Sequence, residues 1–225
     1  MKTITVLLAD DHRIVREGFR SLLNLTTDIK VIAEATNGRE ALALGKLHRP
    51  DVMVMDLAMP LLNGLEAARQ MLAEHPDGKI IILSGHNDDA SIDRVMEVGA
   101  AGYLSKQTSG ESLADAIREV HAGNRFFSPL IRKRLENGYE KSRGSGEWQV
   151  KKGLTLTPRE LEVIQLIAES YANKQVAADL GISIKTVEKH RQHVMNKLNI
   201  HDTAGLTRYA IAHGIIESAG LRAIV

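Results

Sequence analysis

Four short apolar runs in the first half of the chain each end in a residue able to handle a phosphoryl group. Ile4-Thr5-Val6-Leu7-Leu8-Ala9 ends in Asp10-Asp11, and Val52-Met53-Val54-Met55 ends in Asp56. Lys79-Ile80-Ile81-Ile82-Leu83 ends in Ser84, and Gly102-Tyr103-Leu104-Ser105 ends in Lys106. In an open parallel α/β sheet, ligands bind in the crevice at the carboxyl ends of the strands. If these runs are adjacent strands, Asp10, Asp11 and Asp56 converge with the Ser84 hydroxyl and the Lys106 ammonium. Such a group suits Mg²⁺, which takes one or two carboxylates with phosphate and water rather than a full protein cage. Asp56 is then the nucleophile, able to form an aspartyl phosphate. Lys106 and Ser84 would hold the phosphoryl oxygens where negative charge gathers. Taken singly, each residue has a plainer role: an Asp as a turn former, Asp10-Asp11 opening a helix, Lys106 solvated. Their joint occurrence at four strand ends favours the pocket.

The elements that must position these residues are legible as a pattern. Five β-rich runs, at 4–9, 30–35, 52–56, 79–84 and 102–105, alternate with amphipathic stretches. Phe19, Leu22 and Leu23, then Ala41, Leu42 and Leu44, then Leu65, Ala68, Met71 and Leu72 recur at helical spacing. Strands separated by helices predict βαβ units, a parallel sheet and right-handed crossovers that put helices on both faces. The expected fold is a doubly wound, five-stranded α/β domain over residues 1–125. A linker follows over 126–153, with a helix starting at Ser128-Pro129 and a flexible Gly/Ser-rich stretch at 142–147. Residues 154–225 read as a small all-α domain, opened by the capping box Thr157-Pro158-Arg159-Glu160 before Leu161, Val163, Ile164 and Ile167.

The formal charge of +1 conceals a split. Residues 1–125 carry 14 basic against 18 acidic residues, and residues 126–225 carry 15 against 10. That asymmetry points to a nucleic-acid partner for the C-terminal half. There is no cysteine, which excludes disulfides and thiolate metal sites. No apolar stretch reaches the ~18 residues of a membrane span. Met1-Lys2-Thr3 leads into an apolar run without a cleavage pattern, so a cytoplasmic protein without a membrane partner is expected.

Asn173 to Gln192 reads as a helix-turn-helix. Ala177 permits close helix crossing, Gly181 supplies the turn and Ser183 caps the second helix. Val176, Leu180, Ile182 and Val187 form the expected shared core. A helical wheel puts Val187, His190, Val194 and Leu198 inward and Lys185, Glu188, Lys189, Gln192 and Asn196 outward. That long-chained, mainly basic face is what a major-groove helix requires. A solvated amphipathic helix of an interaction domain is the competing reading.

Two resemblances follow from these residues. Leu8-Ala9-Asp10-Asp11-His12, Met55-Asp56-Leu57-Ala58-Met59-Pro60, Asn63-Gly64, Ser84 and Gly102-Tyr103-Leu104-Ser105-Lys106 resemble a response-regulator receiver domain. Leu156-Thr157-Pro158-Arg159-Glu160, Asn173-Lys174 and Lys185-Thr186-Val187-Glu188-Lys189-His190 resemble the LuxR-type helix-turn-helix. Together they resemble the NarL/FixJ class of response regulator. The resemblance implies phosphorylation of Asp56 by a sensor histidine kinase, with Mg²⁺ on Asp11, Asp56 and the Ala58 carbonyl, to which the strand-end reading adds Asp10 as a metal-site carboxylate. It implies that Ser84 and Tyr103 switch on phosphorylation, biasing a two-state element by new charge. It also implies promoter DNA as a partner, with Glu188, Lys189 and Gln192 at base edges. Lys174, Lys185, Thr186, Arg191 and Lys197 then meet phosphates. A phosphorylation-promoted homodimer is implied through the helix at about 203–213, and RNA polymerase becomes a further partner. Leu206, Tyr209 and Ala210 there either form the dimer face or close the domain core.

The chain departs from the receiver pattern at Gly85, at Gln107 where many receivers have Pro, and at Ala58 and His86, positions that tune dephosphorylation. Two rival functions remain on sequence grounds. A Mg²⁺-dependent phosphohydrolase using Asp56 is disfavoured because Leu57-Ala58 offers no second acid, so no enzyme is expected. A regulator binding protein through its helices is separable from a DNA binder by salt dependence.

Overall fold

In the computed structural model the described residues are 3–85, 89–127 and 156–216, and they fall in two compact units. His86, the Ser128-Pro129 helix start and the 142–147 linker lie outside the described residues.

The first unit is a parallel sheet wound on both faces. Its elements run β1 (Ile4–Ala9), α1 (Arg13–Leu23), β2 (Ile29–Ala35), α2 (Gly38–His48), β3 (Val52–Asp56), α3 (Gly64–Glu74), β4 (Ile80–Ser84), α4 (Asp89–Val98), β5 (Gly102–Ser105), α5 (Gly110–His121) and β6 (Phe126–Phe127). The strand order is β2-β1-β3-β4-β5-β6, all parallel. The five expected strands are present, and a sixth corrects the count. Phe126 and Phe127 pair with Gly102 and Tyr103. Two residues are too short to register as a strand in a periodicity reading.

Every residue of β3 and β4 is buried, as strands covered on both faces must be. Alternation in β1 sends Ile4, Val6 and Leu8 into one core with Phe19, Leu23, Leu113, Ile117 and Val120 of α1 and α5. On the opposite face α2 and α3 pack closely. A Cβ built at Gly45 would lie 2.6 Å from Met71 Cε, so a side chain there would make Met71 give way. Asn37, Asn63 and Ser109 cap α2, α3 and α5 through their side chains, which fixes where each helix leaves its loop.

The second unit is all helical: α6 (Pro158–Ala168), α7 (Asn173–Leu180), α8 (Ile184–Leu198) and α9 (Thr203–Ala212). The expected capping box is formed, with the Glu160 amide donating to Thr157 Oγ1 and the Thr157 amide donating to Glu160 Oε2 at 2.8 Å. Gly181 closes α7 at φ +63°, a left-handed conformation that favours glycine. Ser183 then caps α8 by accepting from the Thr186 amide at 3.1 Å. Val163, Ile167, Val176, Leu180, Val187 and Val194 share one core. Leu206 and Ala210 are fully buried in it, so of the two readings left open they close the core. Tyr209 is half-buried and stacks on His213 with ring centroids 3.8 Å apart.

Candidate phosphoacceptor pocket and helix-turn-helix face

The carboxyl ends of β1, β3, β4 and β5 are adjacent in the sheet, so the residues that follow them meet at one edge. Asp56 ends β3 and is fully buried. Asp10 follows β1 and is also buried, while Asp11 is partly exposed. Lys106 follows β5, and its amide donates to the Ser84 carbonyl at 2.8 Å, continuing the β4–β5 ladder. This carries its ammonium to 2.7 Å from Asp56 Oδ2 and 3.0 Å from Asp10 Oδ2.

The electrostatics follow from burial. Removal from water pushes the Asp56 carboxyl up to about 8; the Lys106 ammonium opposes that rise and the nearby Asp10 charge adds to it. Burial works against the charge on Lys106 too, but Asp56 and Asp10 outweigh it and hold the ammonium above its ordinary range. One cation thus faces an excess of negative charge. Asp10 Oδ2, Asp11 Oδ1 and Asp56 Oδ2 are shielded from solvent yet receive no aligned hydrogen bond. The one ammonium of Lys106 is shared between Asp10 and Asp56. Ligand atoms of Asp10, Asp11, His12 and Asp56 lie within 4.8 Å of one another. Hard oxygens with unmet lone pairs and surplus charge fit a small divalent cation.

The remaining predicted residues take their places around this group. The Ala58 amide lies 3.4 Å from Asp56 Oδ1. Ser84 is buried at the end of β4, and Tyr103 is buried opposite Ile82 in β5. Gly64 carries a requirement the motif alone did not explain. A Cβ there would lie 1.8 Å from the Asp56 carbonyl oxygen, so α3 starts against Asp56 only as glycine. His12 follows the Asp10-Asp11 pair and is a site residue beyond those expected; its ring nitrogen is 2.8 Å from Asp11 Oδ1. Three chemistry-bearing residues in succession were the available signal.

In the second unit, Lys185, Glu188, Lys189, Gln192 and Asn196 all lie exposed along α8, while Val187 and Val194 are buried and His190 is half-buried. Gln192 Nε2 donates to Asn196 Oδ1 at 2.9 Å, which orients the amide. Lys174 is exposed at the start of α7, and the Thr186 hydroxyl rests 2.8 Å from Ser183 Oγ. Two of the expected phosphate contacts are engaged within the unit. Lys197 Nζ donates to the buried Glu160 Oε2 at 2.6 Å, and Arg191 donates to Thr203 Oγ1 at 2.7 Å.

Known proteins reproduce both halves. Residues 6–118 match the response regulator receiver domain family, and residues 154–210 match the bacterial regulatory proteins of the luxR family. The chain is 36% identical over 214 residues to the oxygen regulatory protein NreC of Staphylococcus carnosus, covering 94% of this chain and 99% of that protein. It is 34% identical over 215 residues to the response regulator protein VraR of Staphylococcus aureus, covering 96% of this chain and all of that one. Among solved structures it resembles RcsB of Salmonella enterica serovar Typhimurium bound to promoter rprA in the presence of the phosphomimetic BeF3−. That likeness has 26% identity and a TM-score of 0.57, covering 92% of this chain and 98% of that one. The chain therefore belongs to the two-component response regulators of the NarL/FixJ class, with a receiver domain and a LuxR-type DNA-binding domain.

Proposed function

We propose that Asp56 is the phosphoacceptor, that its phosphorylation by a sensor histidine kinase promotes dimerisation, and that the dimer grips promoter DNA through α8. The observation that carries this is the fully buried Asp56 carboxylate, 2.7 Å from Lys106 Nζ within a group of unmet carboxylate oxygens. Asp56 attacks the phosphorus of a phosphohistidine, and the imidazole leaves with the electron pair of the broken P–N bond. Lys106 then exchanges part of its contact with Asp56 for a phosphoryl oxygen, and Ser84 donates its hydroxyl to another. Asp10, Asp11, Asp56 and the Ala58 carbonyl would hold Mg²⁺, which neutralises charge on the transferring group.

In the DNA-binding half, Glu188, Lys189 and Gln192 face base edges, with Gln192 suited to adenine and Lys189 to guanine. Lys174, Lys185 and Thr186 meet phosphates, joined by Arg191 and Lys197 where their internal partners release them. Tyr209 and the exposed side of α9 contribute to the dimer, at a promoter that also recruits RNA polymerase. The soluble setting is the cytoplasm; no helix among the described residues is long and apolar enough to cross a membrane. Selection of bound sequences from a random DNA pool, with and without acetyl phosphate, tests this reading. A consensus enriched more strongly with the donor supports it. Equal enrichment, unchanged in Asp56→Asn, contradicts it.

A further inference from the structure

One side chain at the acidic group has no part in the phosphoacceptor reading. His12 Nδ1 lies 2.8 Å from Asp11 Oδ1, 3.3 Å from Asp10 Oδ1 and 3.4 Å from Lys106 Nζ. The backbone supplies the local structural role of this residue. The His12 amide donates to Asp10 Oδ1 at 2.8 Å, and His12 is the N-cap of α1 without a side-chain bond to the helix. The ring is therefore not needed to start α1.

A ring nitrogen carries either a proton or a lone pair. As a donor, Nδ1 suits Asp11 and opposes Lys106; as an acceptor it suits Lys106 and opposes both carboxylates. A cation among the carboxylates resolves this conflict, because the lone pair then faces positive charge. The ligand atoms of Asp10, Asp11, His12 and Asp56 already lie within 4.8 Å of one another. Asp10 and Asp56 are 3% and 0% exposed, and the Oδ2 atom of each lacks an aligned donor.

Resting on the reading of this group as a divalent-cation site, we propose that His12 Nδ1 is a direct ligand in it. The resulting mixed nitrogen and oxygen donor set favours first-row transition ions such as Mn²⁺ and Co²⁺ over Mg²⁺. Mg²⁺ prefers oxygen and gives up water reluctantly, whereas imidazole suits the transition ions.

The test uses the full chain, titrated calorimetrically with Mg²⁺, Mn²⁺ and Co²⁺, together with pulsed electron paramagnetic resonance of bound Mn²⁺. Nitrogen hyperfine coupling is expected in the wild type and is lost in both His12→Ala and His12→Asn. His12→Ala should weaken Mn²⁺ and Co²⁺ binding about tenfold or more, while Mg²⁺ affinity changes less than about twofold. Absence of nitrogen coupling in the wild type overturns the assignment. So does an equal loss of affinity for all three ions, which marks the ring as a prop for Asp11. If none of the ions binds, the cation site itself falls as well; oxygen-only binding of Mn²⁺ removes the histidine assignment alone.

Discussion

Replacing Asp56 by Asn should stabilise the metal-free receiver unit, because near neutral pH the wild type must take up a proton on folding to bury this carboxyl where it is poorly solvated. Burial pushes the Asp56 carboxyl from 3.8 up to about 8. A carboxyl whose folded pKa is raised contributes stability that is fully present below its unfolded pKa. That contribution is lost as pH rises through the folded value, at about 1.4 kcal/mol per unit. Near pH 7 the loss reaches about 4 kcal/mol as an upper bound. Asn keeps the shape without the charge, and Lys106 retains Asp10 at 3.0 Å. The variant should therefore be more stable by about 2–4 kcal/mol near pH 7 in chelator. The gap should close below about pH 4, where the wild-type carboxyl is protonated in both states. Added Mg²⁺ should stabilise the wild type preferentially and narrow the gap at neutral pH. Urea unfolding, read by hydrogen exchange in peptides from β1 and β3, isolates the sheet unit from the helical one. Equal or lower stability of the variant near pH 7 in chelator, or a gap that does not move with pH, would refute the reasoning.

Other outcomes follow from the helical unit and from the approach of α3. Lys185→Ala should leave stability unchanged and flatten the salt dependence of DNA binding by about one unit of log–log slope. Lys197→Ala should instead cost about 1–2 kcal/mol in denaturation by stranding the buried Glu160 carboxylate, with a smaller change in slope. Gln192→Ala should relax preference at one base pair by about 1–3 kcal/mol in binding to variant operators. Burial works to raise the Glu160 carboxyl, but Lys197 and the Thr157 amide together hold it below the ordinary range. The helical unit should lose stability as pH falls through that lowered pKa, and Glu160→Gln should flatten an acid-unfolding profile there. Gly64→Ala should displace the start of α3 and slow phosphorylation by acetyl phosphate, since its Cβ falls 1.8 Å from a backbone oxygen.

The pocket was legible because its chemistry sits at strand ends. Once apolar runs mark adjacent parallel strands, Asp10, Asp56, Ser84 and Lys106 can only gather at one edge. The α8 surface was equally legible, since a 15-residue helix with period 3.6 fixes which side chains oppose Val187 and Val194. Three features needed coordinates. Phe126-Phe127 is too short to carry a period, and pairs only because β5 offers it an edge. Leu206 and Ala210 are apolar whether they face a core or a second copy, so residue type alone left both readings open. Lys197 looks like any basic groove residue until α6 brings Glu160 within 2.6 Å of it, a contact between residues far apart in the chain.

The most direct test is an intact-protein and peptide mass measurement after incubation with Mg²⁺ and acetyl phosphate, paired with operator affinity of the same samples. One phosphoryl group at Asp56, absent from Asp56→Asn and accompanied by tighter operator binding, is the expected result. No phosphoryl gain at Asp56, or a gain that leaves dimerisation and operator affinity unchanged, contradicts the link between the pocket and the DNA-binding helices.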